Sequence, residues 1–361
     1  MENIYIVGAH SRGQTLAEYI RCLYPNVRTE AFLYDNEEEN PQKIGMIPVL
    51  NMNKEDKLNL TYPVLIGTKG IHHEKLLWRL QQMGFTRIYP VTQKEDRMLR
   101  NAYIRKYYTE IGQRFWKIDE PGIHKGQTAV PEKKTSAVYV VRSVFDQPLG
   151  CEYEPAVYEK EIQAGAALTD ERLYPGILTD DRGDNISGKN GQYCELTALY
   201  WIWKHAREEM VGMVHYRRHF MLPKQWTAAM QDHGADVILP VPLYVGPSIA
   251  ENYKMRHDPA DWNFMLDFLK NKDRKLGEAA QTFFEGNLYS PCNMFIMRRE
   301  ILDQFCTWLF PILDAAAAHG GQKKDAYQNR YPGFLSERLM TFYFARKKGC
   351  KVVYADKNFL K

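Results

Sequence analysis

Short apolar runs alternate with amphipathic segments along most of this chain, and that alternation confines it to the α/β class. Within residues 1–91 the runs IYIVGA (Ile4–Ala9), AFLYDN (Ala31–Asn36), IPVL (Ile47–Leu50), PVLIG (Pro63–Gly67) and RIYPV (Arg87–Val91) predict strands. Between them TLAEYIRCL and HHEKLLWRLQQMG predict helices, the second with Leu76, Leu77 and Leu80 at helical spacing and Gly84 as its stop. Lys94–Phe115 predicts one more helix. The order implies a small parallel sheet of the Rossmann kind.

The alternation is interrupted once. Asp119–Thr135, DEPGIHKGQTAVPEKKT, is polar and rich in Pro, Gly and Lys, the composition of a linker. A second series follows: the strand SAVYVV (Ser136–Val141), a loop-rich segment, and a long helix over Asn190–Glu209. Strands at Val211–Val214, 235-ADVILPV-241 and NMFIM (Asn293–Met297) come next, then a helix over Ile301–Leu313, a helix near Gly333–Phe344 and a closing strand KVVYA. With 361 residues, two domains are the natural division. The expected units are 1–120, Rossmann-like; 121–135, linker; and 136–361, a mixed α/β sheet with its site along the carboxyl edge.

Composition excludes several classes. A net charge of +4 does not predict nucleic-acid binding. Six scattered cysteines without a Cys-x-x-Cys pair suggest neither a disulfide framework nor a zinc site, and no His/Cys/Asp cluster has ligand spacing. The first strand opens directly without a leader, and no run approaches the length of a membrane span. A cytoplasmic protein is expected, with no bound cofactor and no metal.

The turn Gly8-Ala-His-Ser-Arg-Gly13 lies between strand and helix, where backbone N–H groups can hold a phosphate, and Asp35 ends the next strand. The central glycine of a dinucleotide fingerprint is replaced by His10. A docking or regulatory module is therefore expected, similar to the small domains that begin bacterial sugar O-acyltransferases. It is expected to be dispensable for chemistry, so that a chain starting near Thr135 still binds a uridine nucleotide.

Four later segments concentrate chemistry. In 211-VGMVHYRRHF-220 a buried strand runs into His215, Tyr216, Arg217, Arg218 and His219. Arginines at a strand end require an anion, since the guanidinium fork matches phosphate oxygens, or else carboxylates such as Asp181, Asp184 or Glu195. The loop 180-DDRGDNISGKN-190 reads as a ligand loop or as a surface loop capped at Ser187 or Asn190. Glu195 stands near the start of the following helix, where it could orient an arginine. Asn293, ahead of a buried strand, could present its amide to a hydroxyl-rich ligand. Glu337 and Arg338 lie on the helix opened by Gly333 in 331-YPGFLSERL-339, and His257 in 251-ENYKMRHD-258 is a further candidate.

Taken in order, DDRGDNIS-x-KN, Y-x-ELTALYWIWKH, VGMVHYRRHF, SIAENY-x-x-x-H, NMFIM and RYPGFLSERL resemble a family of bacterial glycosyltransferases. That family serves capsule, exopolysaccharide and O-antigen synthesis, and the resemblance runs from about Ser136 to near the C-terminus. It implies a GT-A type fold, a nucleotide-sugar donor and an inverting transfer of galactofuranose or galactose from a uridine diphosphate sugar. One departure is visible: the family's first strand usually ends in Thr-His-Lys, where this chain has Val141-Arg142-Ser143.

The resemblance assigns donor contacts to Arg142, Asp184, Asn185, Lys189, Asn190, His215, Tyr216, Arg217 and Arg218. It assigns acceptor or sugar contacts to His257, Asn293 and Arg338, and the general base to Glu337 with Asp184 as runner-up. His215–Arg218 stand where most GT-A enzymes carry a metal-binding Asp-x-Asp, so the arginines are expected to replace the cation. The implied partners are the donor and a glycan acceptor, lipid-linked in such pathways. Peripheral membrane contact through Arg298-Arg299 and Arg346-Lys347-Lys348 is an associated expectation. A different hexose, or a non-catalytic nucleotide-sugar-binding or scaffold role, is the alternative.

Overall fold

The computed structural model describes residues 1–35, 39–54, 57–122 and 135–360. Two compact units emerge, Met1–Phe115 with Tyr244–Gly246, and Trp116–Leu243 with Pro247–Lys361. The division falls after Phe115, ahead of the boundary expected at 120, because Lys117 already bridges to Tyr354 in the second sheet. Residues 123–134 of the expected linker lie outside the described residues.

In the first unit the strands run across one sheet in the order Lys43–Ile44, Ile47–Asn51, Val27–Tyr34, Glu2–Val7, Val64–Ile66, Ile88–Pro90. All neighbours are parallel except the short first pair. This is the small Rossmann-like sheet expected, with Ile6, Leu33, Val64 and Ile66 at its centre and Leu80 of helix His73–Gln82 packed against it. Gly13 has a packing reason: a Cβ there would stand 1.8 Å from the Gly8 carbonyl oxygen, so only glycine lets helix Ser11–Leu23 start this close to the strand.

The second unit is built on seven strands in the order Leu178–Thr179, Glu159–Gln163, Ser136–Arg142, Met210–His215, Phe295–Arg298, Val237–Pro240, Val352–Ala355. Only Phe295–Arg298 runs against its neighbours. This mixed sheet is of the GT-A type. Met210–Val214 is buried along its whole length, as a strand covered on both faces must be. Its carboxyl end, His215, lies beside Val141 of Ser136–Arg142, so both strands open onto one edge.

The sequence reading needs three amendments here. The helix expected over Asn190–Glu209 is two, Asn190–Tyr193 and Leu196–His205, because Cys194 takes φ 48°. The helix expected over Ile301–Leu313 extends over Arg299–Gly320, and its apolar length is satisfied inside the unit, with Leu302, Phe305, Leu309, Ile312 and Leu313 buried. Strands Glu159–Gln163 and Leu178–Thr179 and helices Trp226–His233, Ile249–Lys254, Pro259–Lys272 and Arg274–Phe284 add to the expected set.

Candidate active site

The segment that ends the central strand folds back at once. His215 N donates to the Arg218 carbonyl at 3.2 Å, and Arg218 N donates to the His215 carbonyl at 2.9 Å, so Tyr216 and Arg217 form the tip of a tight turn. Tyr216 N donates to Val141 O (3.1 Å), which pins the turn to the sheet edge. Arg217 Nη2 reaches the carbonyls of Gln147 and Pro148, both at 3.3 Å, while its Nε is buried without a partner. Arg218 lies over the Phe359 ring at 5.4 Å. The C-terminal tail runs along the turn, with Asn358 N donating to His219 O (3.0 Å) and Leu360 N to Arg217 O (2.8 Å).

The carboxylates offered by the sequence as arginine partners are committed elsewhere. Asp181 pairs with Arg172, Asp184 with Lys204, and Glu195 accepts from Asn293; among the described residues no ion pair reaches Arg217 or Arg218. Asp146 lies close enough for Arg142 and Arg217 to favour its charged form, yet burial dominates and raises its pKa. The second histidine is structural: buried His219 bonds through Nδ1 to Glu159 (2.8 Å) and Tyr153 Oη (2.9 Å).

His215 contributes its ring. Its Nε2 meets the Cys292 carbonyl at 2.5 Å, and burial lowers its pKa, opposed by Glu195 and that carbonyl and assisted by Arg218 and Arg330. Cys292 N donates to Glu337 Oε1 at 2.7 Å, and Arg338 Nη1 donates to Glu337 Oε2 at 2.9 Å. Glu337 keeps 18% of its side chain exposed. Burial raises its pKa, Arg338 and the Cys292 amide oppose the rise, and the negative charge of Glu195 adds to it. Among the described residues, the non-glycine positions with left-handed φ are Cys194 (48°), Cys292 (77°) and Asn293 (46°), all in this neighbourhood. Such strain persists only where surroundings enforce it, and it gathers at functional sites.

Beyond Glu337 lies an aromatic box. His257 is stacked on Phe334 at 4.1 Å and bonds Gln328 Oε1 at 3.2 Å; burial pushes its pKa down to about 4. Arg338 is buried between Tyr289 and Tyr253, and its Nε lacks a partner, as do Tyr253 Oη and Asn293 Oδ1. Three polar atoms in this neighbourhood therefore lack a partner, each of them buried from solvent.

Other sequence candidates occupy different positions. Arg142 pairs with Glu161 at 2.8 Å. Asn190 spends its amide on Cys194 O (2.8 Å) and Thr197 Oγ1 (2.9 Å), and Asn185 on the carbonyls of Asp181 and Gly183. Lys189 pairs with Asp314 at 3.2 Å. Asp184 packs against Tyr200, Lys204 and His205, toward the end of the helix whose start faces His215, on the order of 10 Å along it. The structure thus gathers His215, Tyr216, Arg217, Arg218, Asn293, Glu337, Arg338 and His257, and sets Asp184 and Lys189 apart. Absent from the sequence candidates is Asp180, fully buried, which accepts from Gly165 N (2.9 Å), Ala166 N (3.1 Å) and Ser187 Oγ (2.5 Å) and knots the loop to the sheet edge.

The first unit carries different features. Asp35, the expected ribose partner, pairs with Arg79 at 3.3 Å. A groove of about 660 Å³, mostly apolar, runs along Ile20, Tyr24, Tyr89, Met98 and Leu99 of this unit.

The sequence profile of a family described as a domain of unknown function (DUF4422) matches residues 152–348. No curated protein matches the chain. A solved apo structure of WbbM, a bifunctional glycosyltransferase, is similar over 63% of this chain with a TM-score of 0.54 and 25% sequence identity. The chain spans 45% of that protein's length.

Proposed function

The chain belongs to the DUF4422 family, and from that premise we propose that it is a glycosyltransferase of bacterial surface polysaccharide synthesis. It moves a hexose, galactofuranose or galactose, from a uridine diphosphate sugar to a glycan acceptor with inversion. One observation carries this reading: Arg217 and Arg218 stand on a tight turn at the carboxyl end of the central strand with no ion-pair partner among the described residues. Uncompensated arginines at that edge are matched by a diphosphate, which takes charge-assisted bonds from both forks.

In the reaction the acceptor hydroxyl oxygen forms a bond to the anomeric carbon as the bond from that carbon to the diphosphate oxygen breaks. The electron pair leaves with the diphosphate, whose growing charge Arg217 and Arg218 stabilise. Glu337 takes the acceptor proton; its raised pKa makes it a stronger base than an exposed glutamate. Neutral His215 ties the arginine turn to the Cys292 carbonyl. Asn293, Arg338 and His257 supply the polar and aromatic wall for the sugar or acceptor. No step in this proposal uses a divalent cation. The first unit serves docking or regulation. The acceptor is lipid-linked, met at the inner face of the cell membrane; of the two basic clusters, Arg298 is paired with Asp236 and Arg299 with backbone carbonyls, which leaves Arg346 and Lys348 exposed for that contact.

A panel of nucleotide sugars, read by release of nucleoside diphosphate with and without excess chelator, tests the proposal. Release from a uridine diphosphate hexose that survives chelation is expected. Tight donor binding with no transfer to any glycan supports a binding module instead, and activity restored only by magnesium or manganese removes the arginines from the cation's role.

A further inference from the structure

We propose that Glu195 is a positioning residue for the transfer: through Asn293 it fixes the left-handed turn at Cys292, and that turn holds Glu337 and His215 on one support. The role rests on the glycosyltransferase reading for its catalytic meaning, while the linkage itself is a property of the folded chain.

Each joint of the linkage is short and at least partly buried. Asn293, only 2% exposed, donates through Nδ2 to Glu195 Oε1 at 2.8 Å and to Gly333 O at 3.1 Å. Cys292 then offers both backbone groups to the site, its N–H to Glu337 Oε1 at 2.7 Å and its carbonyl to His215 Nε2 at 2.5 Å. Two consecutive non-glycine residues at φ 77° and 46° would relax if unrestrained, since left-handed backbone costs each roughly 1 kcal/mol or more. Relaxation would swing the Cys292 amide and carbonyl together and release base and histidine at once.

Glu195 is itself aimed. The helix breaks at Cys194, where Asn190 Nδ2 captures the Cys194 carbonyl at 2.8 Å and Arg330 Nε donates to Cys194 Sγ at 3.0 Å. Glu195 follows the break directly, at the N-cap of Leu196–His205. Two ordinary duties are vacant: Glu195 occupies the N-cap of Leu196–His205 without making a side-chain cap bond, and among the described residues it forms no ion pair. Its carboxylate goes to Asn293. The charged and titratable groups facing Glu337 are Arg338 on its own helix, Glu195 across the turn, Cys292, Tyr289 of strand Leu288–Tyr289 and, from the C-terminal tail, Lys357. Removing the charge of Glu195 while keeping its oxygen therefore has a defined sign: Glu337 ionises at lower pH.

The full-length chain labelled with ¹⁵N-cysteine presents six amide positions, and loss of one signal in Cys292→Ser identifies the one bonded to Glu337. That amide reports Glu337 ionisation as pH is varied. Glu195→Gln keeps the acceptor for Asn293 and is expected to retain the bonded amide while moving its midpoint down. Glu195→Ala is expected to release the turn, so the amide loses its titrating shift. In turnover, Glu195→Gln moves the acidic limb of kcat in the same direction, and Glu195→Ala lowers kcat roughly tenfold or more and raises donor KM, because the released His215 no longer ties the arginine turn. An amide whose position and midpoint match the wild type in both variants overturns the proposal. Wild-type chain that transfers no sugar, yet shows the amide changes, retires the glycosyltransferase reading and leaves the linkage standing.

Discussion

Arg217 and Arg218 are adjacent but unequal. Arg217 already donates to two loop carbonyls, whereas Arg218 lies over the Phe359 ring and, among the described residues, its fork makes no ion pair. Arg218→Ala is expected to weaken uridine diphosphate binding by about 10- to 100-fold, the worth of one or two charge-assisted bonds, and to leave uridine affinity nearly unchanged. Calorimetry with both ligands checks this; equal losses for the two would show that Arg218 does not meet the diphosphate. Glu337→Gln is expected to reduce turnover on the order of 10²-fold or more with donor affinity retained. Because burial raises Glu337, kcat should fall as pH drops through a value above the ordinary glutamate range, and should level off above it. A pH–rate series whose acidic limb sits at or below that ordinary range would place the base elsewhere.

At the scale of elements, the strands that form the sheet interior are legible because they are continuous apolar runs: Ser136–Arg142, Met210–His215 and Phe295–Arg298 need only a period-free hydrophobic stretch. The strand Glu159–Gln163 reads EKEIQ and Leu178–Thr179 is two residues long, so neither leaves a pattern; their pairing comes from neighbours in space. The break at Cys194 is equally silent, since a cysteine at positive φ has no sequence signature and the surrounding residues keep a helical period. Arginines at a strand end announce a site by chemistry alone. The part of Glu195 is hidden because its partner Asn293 is 98 residues away. Asp180 sits in a legible polar loop, but only the fold shows that one buried carboxylate receives three donors. Asp180→Ala would leave Gly165 N, Ala166 N and Ser187 Oγ unsatisfied, and about 3 kcal/mol or more of stability should be lost in urea unfolding. Gly165, which presents one of those amides, has φ 70°, and a Cβ there would lie 2.7 Å from the Asn190 carboxamide, so the turn admits only glycine. A loss below about 1 kcal/mol would mean that water replaces the carboxylate.

For the molecule as a whole, the second unit needs residues ahead of its first strand. Ile118 N donates to Tyr354 O at 2.9 Å and Lys117 pairs with Asp356 at 2.9 Å. A chain beginning at Trp116 is expected to fold and bind uridine diphosphate, whereas one beginning at Thr135 loses that edge and should unfold at a lower temperature. If the shorter chain matches the longer one in melting temperature, the edge adds nothing. The same edge leads to the tail, where Asn358 and Leu360 are bonded along the arginine turn and Phe359 lies against Arg218. Those residues can detach only by breaking bonds to the segment that would grip the donor. Digestion from the C-terminal end by a carboxypeptidase therefore becomes a clock for site occupancy. A bound diphosphate, by linkage to the closed state, should slow removal of Phe359 in proportion to its saturation, and a trimming rate indifferent to ligand would mean that tail and turn move independently.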